Sequence, residues 1–413
     1  AVTVRSLGFP KGDYAPARKA AHAAVRAGVR VETLGDPVAS DLIIDALFGA
    51  GFHGELPESI ATWTRIDTPV LAVDVPSGLD ATTGTVAGAA FTATRTITFH
   101  ALKTGHVLGE GPDRSGEISV VDIGLSGERS ELLLCEEDDA PRPVRERTAH
   151  KWSAGSILVV GGSPGLTGAA MLAARAALHA GAGAAAIAAP GGLQPIYAAL
   201  SAGVMSFPVG DGVRFTEADI TAVLDRADRY DVMVLGPGLG SVPEGFVDGL
   251  LAGWDGALLL DADGLNALSD VDALVARSAP TILTPHTGEF RRLTGVDPSY
   301  EAATALSGDT GDVVLLKGSP TFVVGADRWV ITTGGPELAT IGTGDVLSGA
   351  IGAYWAGGLD AATAARSGAF WHGLAGRRLA EKQTVTAEGL AIEIGSAERI
   401  AIRDRRSTGQ PWS

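Results

Sequence analysis

The sequence predicts an α/β protein of two domains, each built around a parallel sheet. Three observations carry that prediction. Short apolar runs alternate with Ala-rich stretches at helical spacing, the pattern of strands covered by crossover helices. Most of the apolar runs end in turns rich in Gly, Asp or Ser, and in a parallel sheet such turns collect along one edge. The two series are separated by a charged, Pro-containing stretch with little apolar content.

Composition supports this and narrows the function. A chain of 413 residues has room for two or three domains. Hydrophobic residues at 46% and charged residues at 19% allow large cores and exclude a disordered chain. A net charge of −16 without a dense Lys/Arg block argues against nucleic acid or an anionic membrane as partner. The single cysteine, Cys135, rules out an intrachain disulfide framework and suggests a reducing, cytoplasmic setting. The chain opens on Ala1-Val2-Thr3-Val4-Arg5, which reads as a strand rather than a secretory signal. The missing initiator Met points to residues ahead of Ala1. The Ala/Gly tract 181–192 is interrupted too often to span a membrane and reads as packed core.

The first domain is expected over residues 1–125. Strands are predicted at 1–7, 29–34, 41–47, 69–75, 95–100 and 117–123, with helices at 15–27 and 56–65. Two strand ends carry candidate chemistry. One is Asp45-Ala46-Leu47-Phe48-Gly49-Ala50-Gly51-Phe52-His53-Gly54-Glu55, the other Val73-Asp74-Val75-Pro76-Ser77-Gly78-Leu79-Asp80. Asp45, Asp74 and Ser77 offer oxygens for a hard cation or a sugar hydroxyl, and the glycines permit close backbone approach. The same residues are also ordinary turn formers. Residues 126–148, with the run Glu136-Glu137-Asp138-Asp139 followed by Pro141 and Pro143, read as a linker.

The second domain is expected over residues 149–413. Its apolar strands run into Gly161-Gly162-Ser163, Gly236–Gly240, Asp261–Asn266, Thr284–Glu289 and Lys317–Thr321. Residues 321–324 and 329–332 read as a hairpin. The stretch Gly342-Thr343-Gly344-Asp345 opens a helical pattern that Gly357-Gly358 stops. A helix start offers unpaired N–H groups and partial positive charge, and Gly342 and Gly344 leave room for an anion there. Asp345 beside it suits a base on an attacking hydroxyl, although Thr343 and Asp345 are also common capping residues. Lys317 could grip a phosphate as a point charge. His286 and Glu289 have capping spacing. Asp261 and Asn266 could reach Mg²⁺ through water, and zinc spacing is absent.

In order and spacing, the turns of the second half resemble the NAD(P)H-hydrate dehydratase domain, a member of the ribokinase-like superfamily; the match runs from about Lys151 to about Leu379. The strand ends at Asp45 and Asp74 resemble the NAD(P)H-hydrate epimerase domain of the YjeF N-terminal type. The resemblance implies a Rossmann-like three-layer first domain and a ribokinase-like second one. It implies repair of NADH and NADPH hydrated at C6 of the nicotinamide ring (NADHX and NADPHX). The second domain would consume ADP, with Mg²⁺, to dehydrate the S form, giving AMP and phosphate. Asp345 would be its catalytic base. Lys317, Gly318, Ser319, Pro320, Thr321, Gly342, Thr343 and Gly344 would bind the nucleotide, and Ala169, Ala170, Gly238, Gly240 and His286 the hydrate. The first domain would interconvert R and S forms, with K⁺ on Asp45 and Ser77, substrate on Gly49, Ala50, Gly51, Phe52, His53, Gly54 and Glu55, and Asp74 at the active centre.

One departure stands out. The family's Asn-Asn-Gly-Gly-Asp loop, which precedes the strand matching 1–7, is not in this sequence, so either residues ahead of Ala1 supply it or the epimerase site is incomplete. The expected partners are the small-molecule substrates and further copies of the chain in a homo-oligomer. Two other readings remain open. One is a small-alcohol kinase of the same superfamily. The other makes the first domain a binding or oligomerising module without catalysis.

Overall fold

The computed structural model describes residues 2–7, 15–127, 130–145 and 147–407, and divides into two compact units after residue 128. Among the described residues the named strands of the first unit pair in parallel. Strands β1 (Thr3–Ser6) and β2 (Arg30–Thr33) form one small sheet. Strands β3 (Ile43–Asp45), β4 (Val70–Val73), β5 (Arg95–Phe99) and β6 (Glu117–Val121) form a second, in chain order. The predicted positions of all six hold to within a few residues. Leu56, Ile60, Trp63, Val70, Ala72 and Phe91 make up most of this unit's core. The register places Asp45 beside Ala72, so the carboxyl ends of β3 and β4 deliver Asp45 and Asp74 to neighbouring positions.

Among the described residues the second unit holds ten strands. They are β7 (Leu132–Leu134), β8 (Ser156–Val160), β9 (Ala184–Pro190), β10 (Met205–Val209), β11 (Val232–Leu235), β12 (Ala257–Leu260), β13 (Thr281–Leu283), β14 (Val313–Leu316), β15 (Thr321–Val324) and β16 (Arg328–Ile331). Their order across the sheet is β10-β9-β8-β11-β12-β13-β14-β15-β16-β7. From β10 to β14 the pairing is parallel; β15 is antiparallel to both neighbours, as the predicted hairpin requires. Strands β8, β9, β11 and β14 are buried along their whole length, which is why they read as unbroken apolar runs.

The chain moves outward one way from β8 to β9 and β10, then returns to place β11 on the other side of β8. That reversal opens a crevice at the carboxyl ends of β8 and β11, where open α/β sheets bind ligands. Two apolar layers flank the sheet. One contains helices Thr167–His179, Thr343–Ala356 and Ala361–Ala380; the other contains Phe246–Gly253 and the Phe290 helix. Gly349 explains how the first two helices approach so closely. A Cβ there would lie 2.1 Å from the Ala173 carbonyl oxygen.

The stretch read as a linker, 126–148, needs correction. Leu132–Leu134 forms β7 and closes the sheet edge beside β16. The Trp371 indole donates to the Ala140 carbonyl at 2.9 Å, and Arg366 donates to the Asp139 carbonyl at 2.6 Å. Cys135 and Ala140 are buried in the second unit's core. Charge density hid a structural arm whose apolar triplet was too short to register as a strand. Burial pushes the Cys135 thiol up to about 12, so it acts as a small core residue rather than a nucleophile.

Candidate active sites

The second unit's site is built where the helix Thr343–Ala356 begins. Gly342 is its N-cap at φ 88°, a left-handed conformation that glycine adopts without strain. The first bond to its carbonyl comes from Val346 N–H, leaving the N–H groups ahead of it at the open helix end. The Thr343 hydroxyl is committed within the loop, donating to the Leu338 and Thr340 carbonyls at 2.9 Å each. The buried His372 reinforces this start. Its Nε2 lies 2.9 Å from the Thr343 carbonyl, and burial pushes its pKa down to about 4, so it is a neutral donor.

Three strand ends then converge on this helix. The Lys317 ammonium, after β14, lies 2.7 Å from Asp261 Oδ1 after β12 and 3.7 Å from Glu289 Oε2 after β13. Asp261 is 1% exposed, and the wholly buried Ser348 donates to its Oδ2 at 2.6 Å. Burial pushes the Lys317 pKa down, but the carboxylates of Asp261 and Glu289 outweigh it and the net shift is upward. Lys317 therefore stays cationic. A Cβ on Gly344 would stand 3.7 Å from the ammonium, which places the lysine against the helix start at ordinary contact distance.

Asp345 differs from its neighbours. Among the described residues its carboxylate has no hydrogen-bond partner, and it is only partly buried. Burial first, then the negative charge of Asp261, pushes its pKa up to about 7 against the opposing pull of Lys317. A carboxylate poised near neutrality beside a fixed cation and a helix end is suited to general-base work.

His286 sits at the neighbouring strand end as a helix cap. Its Nδ1 accepts from the Gly288 and Glu289 N–H groups, while Glu289 Oε2 accepts from the His286 N–H at 2.8 Å. The ring is half-exposed, with Nε2 3.4 Å from Glu289 Oε1. The Thr321 hydroxyl closes its own turn on the Gly318 carbonyl, leaving Gly318 and Ser319 exposed and Pro320 partly so. At the crevice, the position of a Gly238 Cβ is 3.1 Å from the Ala169 methyl, and a Cβ on Gly161 would come 3.6 Å from that of Ala170. The small residues after β8 and β11 thus face one another.

The expected Mg²⁺ ligands are otherwise engaged. Asp261 is taken by Lys317 and Ser348, and Asn266 Oδ1 accepts from Arg292 Nε at 3.0 Å. Among the described residues no group of three or more His, Cys, Asp or Glu is arranged to hold a metal ion.

In the first unit, Asp45 is buried and holds the two strand ends together. Its Oδ1 accepts the Ser77 hydroxyl and its Oδ2 the Ser77 N–H, each at 2.6 Å. Burial pushes the Asp45 pKa up, opposed by these bonds. The Phe48 N–H donates to Ser77 Oγ at 3.0 Å, so the loop 49–55 leaves from the same point. His53 pairs with Asp80 at 2.7 Å and anchors the loop's far end. Phe52 stacks against Phe48 with 4.8 Å between centroids; Ala50, Gly51, Gly54 and Glu55 are exposed.

Asp74 has φ 72°, a left-handed conformation that turns its carboxylate toward this loop. Its Oδ2 accepts the Ala50 N–H at 3.2 Å; a Cβ on Gly49 would come 3.2 Å from the same oxygen. Its Oδ1 lies 2.7 Å from Lys103 Nζ and accepts from Thr98 Oγ1 at 3.0 Å. Burial alone would push the Asp74 pKa up, but Lys103 and these donors win and it stays below the ordinary carboxylate value. Buried His106 contacts the Asp74 carbonyl at 3.0 Å. Lys103, Thr98 and His106 escaped the sequence reading. A lysine three residues before a histidine gives no signal by itself, although both follow a predicted strand end.

A ten-stranded, largely parallel sheet with an anion-ready helix start, a lysine held by buried carboxylates and an aspartate near neutrality defines a ribokinase-like α/β enzyme, here joined to a second α/β unit. Residues 157–396 match the NAD(P)H-hydrate dehydratase family, and residues 2–105 match the YjeF-related protein N-terminus. The chain belongs to the family of bifunctional NAD(P)H-hydrate repair enzymes. It is similar to the bifunctional NAD(P)H-hydrate repair enzyme of Salinibacter ruber, 40% identical over 83% of this chain and 68% of the relative. The enzyme of that description from Moorella thermoacetica is 37% identical over 83% and 69%. Among solved structures, the ADP/ATP-dependent NAD(P)H-hydrate dehydratase of Bacillus subtilis, crystallised with ATP and Mg²⁺, superposes with a TM-score of 0.55 at 27% identity, covering 65% of this chain and 98% of that one. A ribokinase-like superfamily protein from Enterococcus faecalis shares the fold, with a TM-score of 0.58 at 21% identity over 68% of this chain and 98% of that one.

Proposed function

We propose that the second unit dehydrates the hydrates of NADH and NADPH at the expense of ADP, and that the first unit interconverts their epimers. The observation that carries the reading is Asp345, without a hydrogen-bond partner among the described residues and shifted to about 7, at the start of a helix whose neighbouring strand end presents Lys317. Hydroxide is a poor leaving group. Asp345 takes the proton of the hydrate's C6 hydroxyl as its oxygen attacks the terminal phosphorus of ADP. The P–O bond to AMP breaks; the phosphate ester so formed then loses phosphate from C6, and the neighbouring ring carbon gives up a proton to the departing phosphate or to water, which restores the dihydropyridine. Lys317 and the N–H groups of residues 343–345 stabilise charge on the transferring phosphoryl group. The exposed turn Gly318–Ser319 and Gly344 flank the nucleotide, and Ala169, Ala170, Gly238, Gly240 and His286 line the hydrate's side. With Asp261 and Asn266 committed, Mg²⁺ would be held chiefly by the diphosphate and water, its usual habit; it would supply charge neutralisation.

A kinase of small alcohols would need the same base and anion site but would release an organic phosphate. Following NADPH hydrate with ADP distinguishes them: recovered NADPH absorbance with stoichiometric AMP and free phosphate supports dehydration. A stable phosphoester, or higher kcat/KM with ATP than with ADP, contradicts the proposal.

For the first unit, Asp45, Ser77 and the Phe48 carbonyl gather hard oxygens with a single negative charge, a donor set that suits a monovalent cation such as K⁺ better than a divalent one. Asp74 and the loop 49–55 face the same strand ends. Potassium-stimulated conversion of R to S hydrate above the spontaneous rate, abolished by Asp74→Ala while dehydration of the S form survives, supports this assignment. Epimerisation unaffected by Asp74→Ala would remove it.

A further inference from the structure

The crevice between β8 and β11 contains a cation that none of the assignments above uses. The loop after β10 does not stay at the sheet edge where that strand lies. It crosses the carboxyl end of β9, where a Cβ on Gly191 would lie 2.1 Å from the Gly210 carbonyl oxygen and one on Gly192 3.1 Å from that of Gly212. Arg214 follows, and its Nη1 lies 3.5 Å from where a Gly240 Cβ would stand. Thus an arginine from the loop after a strand three places away is brought to the turn after β11. Among the described residues Arg214 has no ion pair or hydrogen-bond partner, and it is exposed.

Two further groups meet at the same glycine. Ser163, at the end of β8, is 1% exposed, and its Oγ is 2.5 Å from the Gly240 Cβ position. The Ser163 hydroxyl makes no hydrogen bond to another described residue. The Gly240 N–H is oriented by Asp263 Oδ2 at 2.8 Å, which rigidifies the turn without occupying the arginine. Gly240 has φ 67°, and any side chain there would fill the space between Ser163 and Arg214. A guanidinium fork, a buried hydroxyl and a glycine turn at a sheet's switch point together suit a phosphate oxygen pair.

We infer that Arg214, with Ser163, binds a phosphate of the dinucleotide hydrate and thereby sets substrate affinity at the dehydratase site. The inference rests on the dehydratase reading above. The phosphate could be the pyrophosphate, common to both hydrates, or the adenosine 2′-phosphate of NADPH hydrate alone. Arg214 lies at the turn after β11, three places across the sheet from β14, whose end carries Lys317, and so its expected ligand is on the hydrate rather than on ADP.

The test is steady-state dehydration by wild type, Arg214→Gln and Arg214→Lys with each hydrate, varying hydrate and ADP separately. The expected result for Arg214→Gln is a rise in hydrate KM of about tenfold or more, the scale of one charge-assisted hydrogen bond. The kcat and the KM for ADP should stay within about twofold. Arg214→Lys should recover part of the loss, because it restores charge without the fork. A rise for both hydrates identifies the pyrophosphate; a rise for NADPH hydrate alone identifies the 2′-phosphate. Ser163→Ala should shift KM in the same direction by less. An unchanged hydrate KM in Arg214→Gln, or a change confined to ADP, overturns the inference. A wild-type protein inactive on both hydrates would instead overturn the dehydratase reading itself.

Discussion

Asp345 and Asp74 are both partly buried carboxylates at the mouths of parallel sheets, and their ionisation is set in opposite directions. Lys103 contacts Asp74 directly at 2.7 Å, Thr98 and Ala50 add hydrogen bonds, and the pKa falls. The lysine near Asp345 is already committed to Asp261 and Glu289, so its charge is partly cancelled before Asp345 feels it. Asp345 also lacks donors among the described residues, and burial with a neighbouring carboxylate pushes it to about 7. Burial acts alike on both; the partner's prior commitments decide the sign.

The largest test of this contrast is Asp345→Asn. Dehydration should fall by about a hundredfold or more, the range of a lost general base. The pH dependence gives a separate check. In wild type, dehydration kcat/KM should rise with pH through about 7 and then level. The raised pKa also costs stability: between the ordinary value of 3.8 and about 7 the folded state holds a proton that the unfolded state has released. Stability contributed by this group therefore falls as pH rises across that window. The Asn variant should lack that fall, so melting temperatures of the two should diverge in its favour from about pH 4 to about pH 7. Curves that stay parallel would show that Asp345 is not shifted.

Next in size is Lys317→Met. It leaves Asp261 charged and buried without its cation, and should destabilise the second unit by about 3–5 kcal/mol. Adding Asp261→Asn should restore much of the stability without restoring activity. Recovery of both would mean that Lys317 serves the fold alone.

Lys103→Met attacks the other half of the contrast. Without the ammonium, burial should drive Asp74 upward, so the acidic limb of epimerisation should move to higher pH. The stability that Asp74 contributes is present above about pH 4 and is lost as pH falls through its depressed folded value. That acid-side loss should shrink in the variant, and turn into a gain on acidification if the folded value rises above the ordinary one. An unmoved limb in a folded protein would remove Lys103 from the positioning of Asp74. Ser348→Ala is the smallest change. It strips one donor from the buried Asp261 carboxylate and should cost about 1–2 kcal/mol by chemical denaturation, with Lys317 holding the other oxygen in place.

Much of this was legible from sequence because parallel strands announce themselves twice, in the apolar run and in the turn after it. Val232–Leu235 runs straight into Gly236, and Val313–Leu316 into Lys317 and Gly318, so neither short apolar run could be taken for part of a buried helix. The Gly342–Asp345 helix start and the His286–Glu289 capping box were likewise readable, since both depend on residues a few positions apart. What stayed hidden depends on distance in the chain. Nothing local says that Lys317 is spent on Asp261, 56 positions away, or Ser348 on the same group. Lys103 acquires its role only when β4 and β5 place it beside Asp74. Leu132–Leu134 becomes a strand only because β16 offers it an edge.

That edge strand fixes where the two halves of this chain can be parted. The run of acids and prolines invites a cut just before residue 149, yet a fragment starting there would lose β7 and leave the backbone of Arg328–Ile331 as an open edge. It would also strip the carbonyl that holds the Trp371 indole and the one that holds Arg366, whose guanidinium lies 4.2 Å from the Trp329 ring. Unpaired edges of that kind recruit other chains. The seam suited to separating or fusing the two activities lies upstream of Leu132, and the acidic arm travels with the domain that follows it.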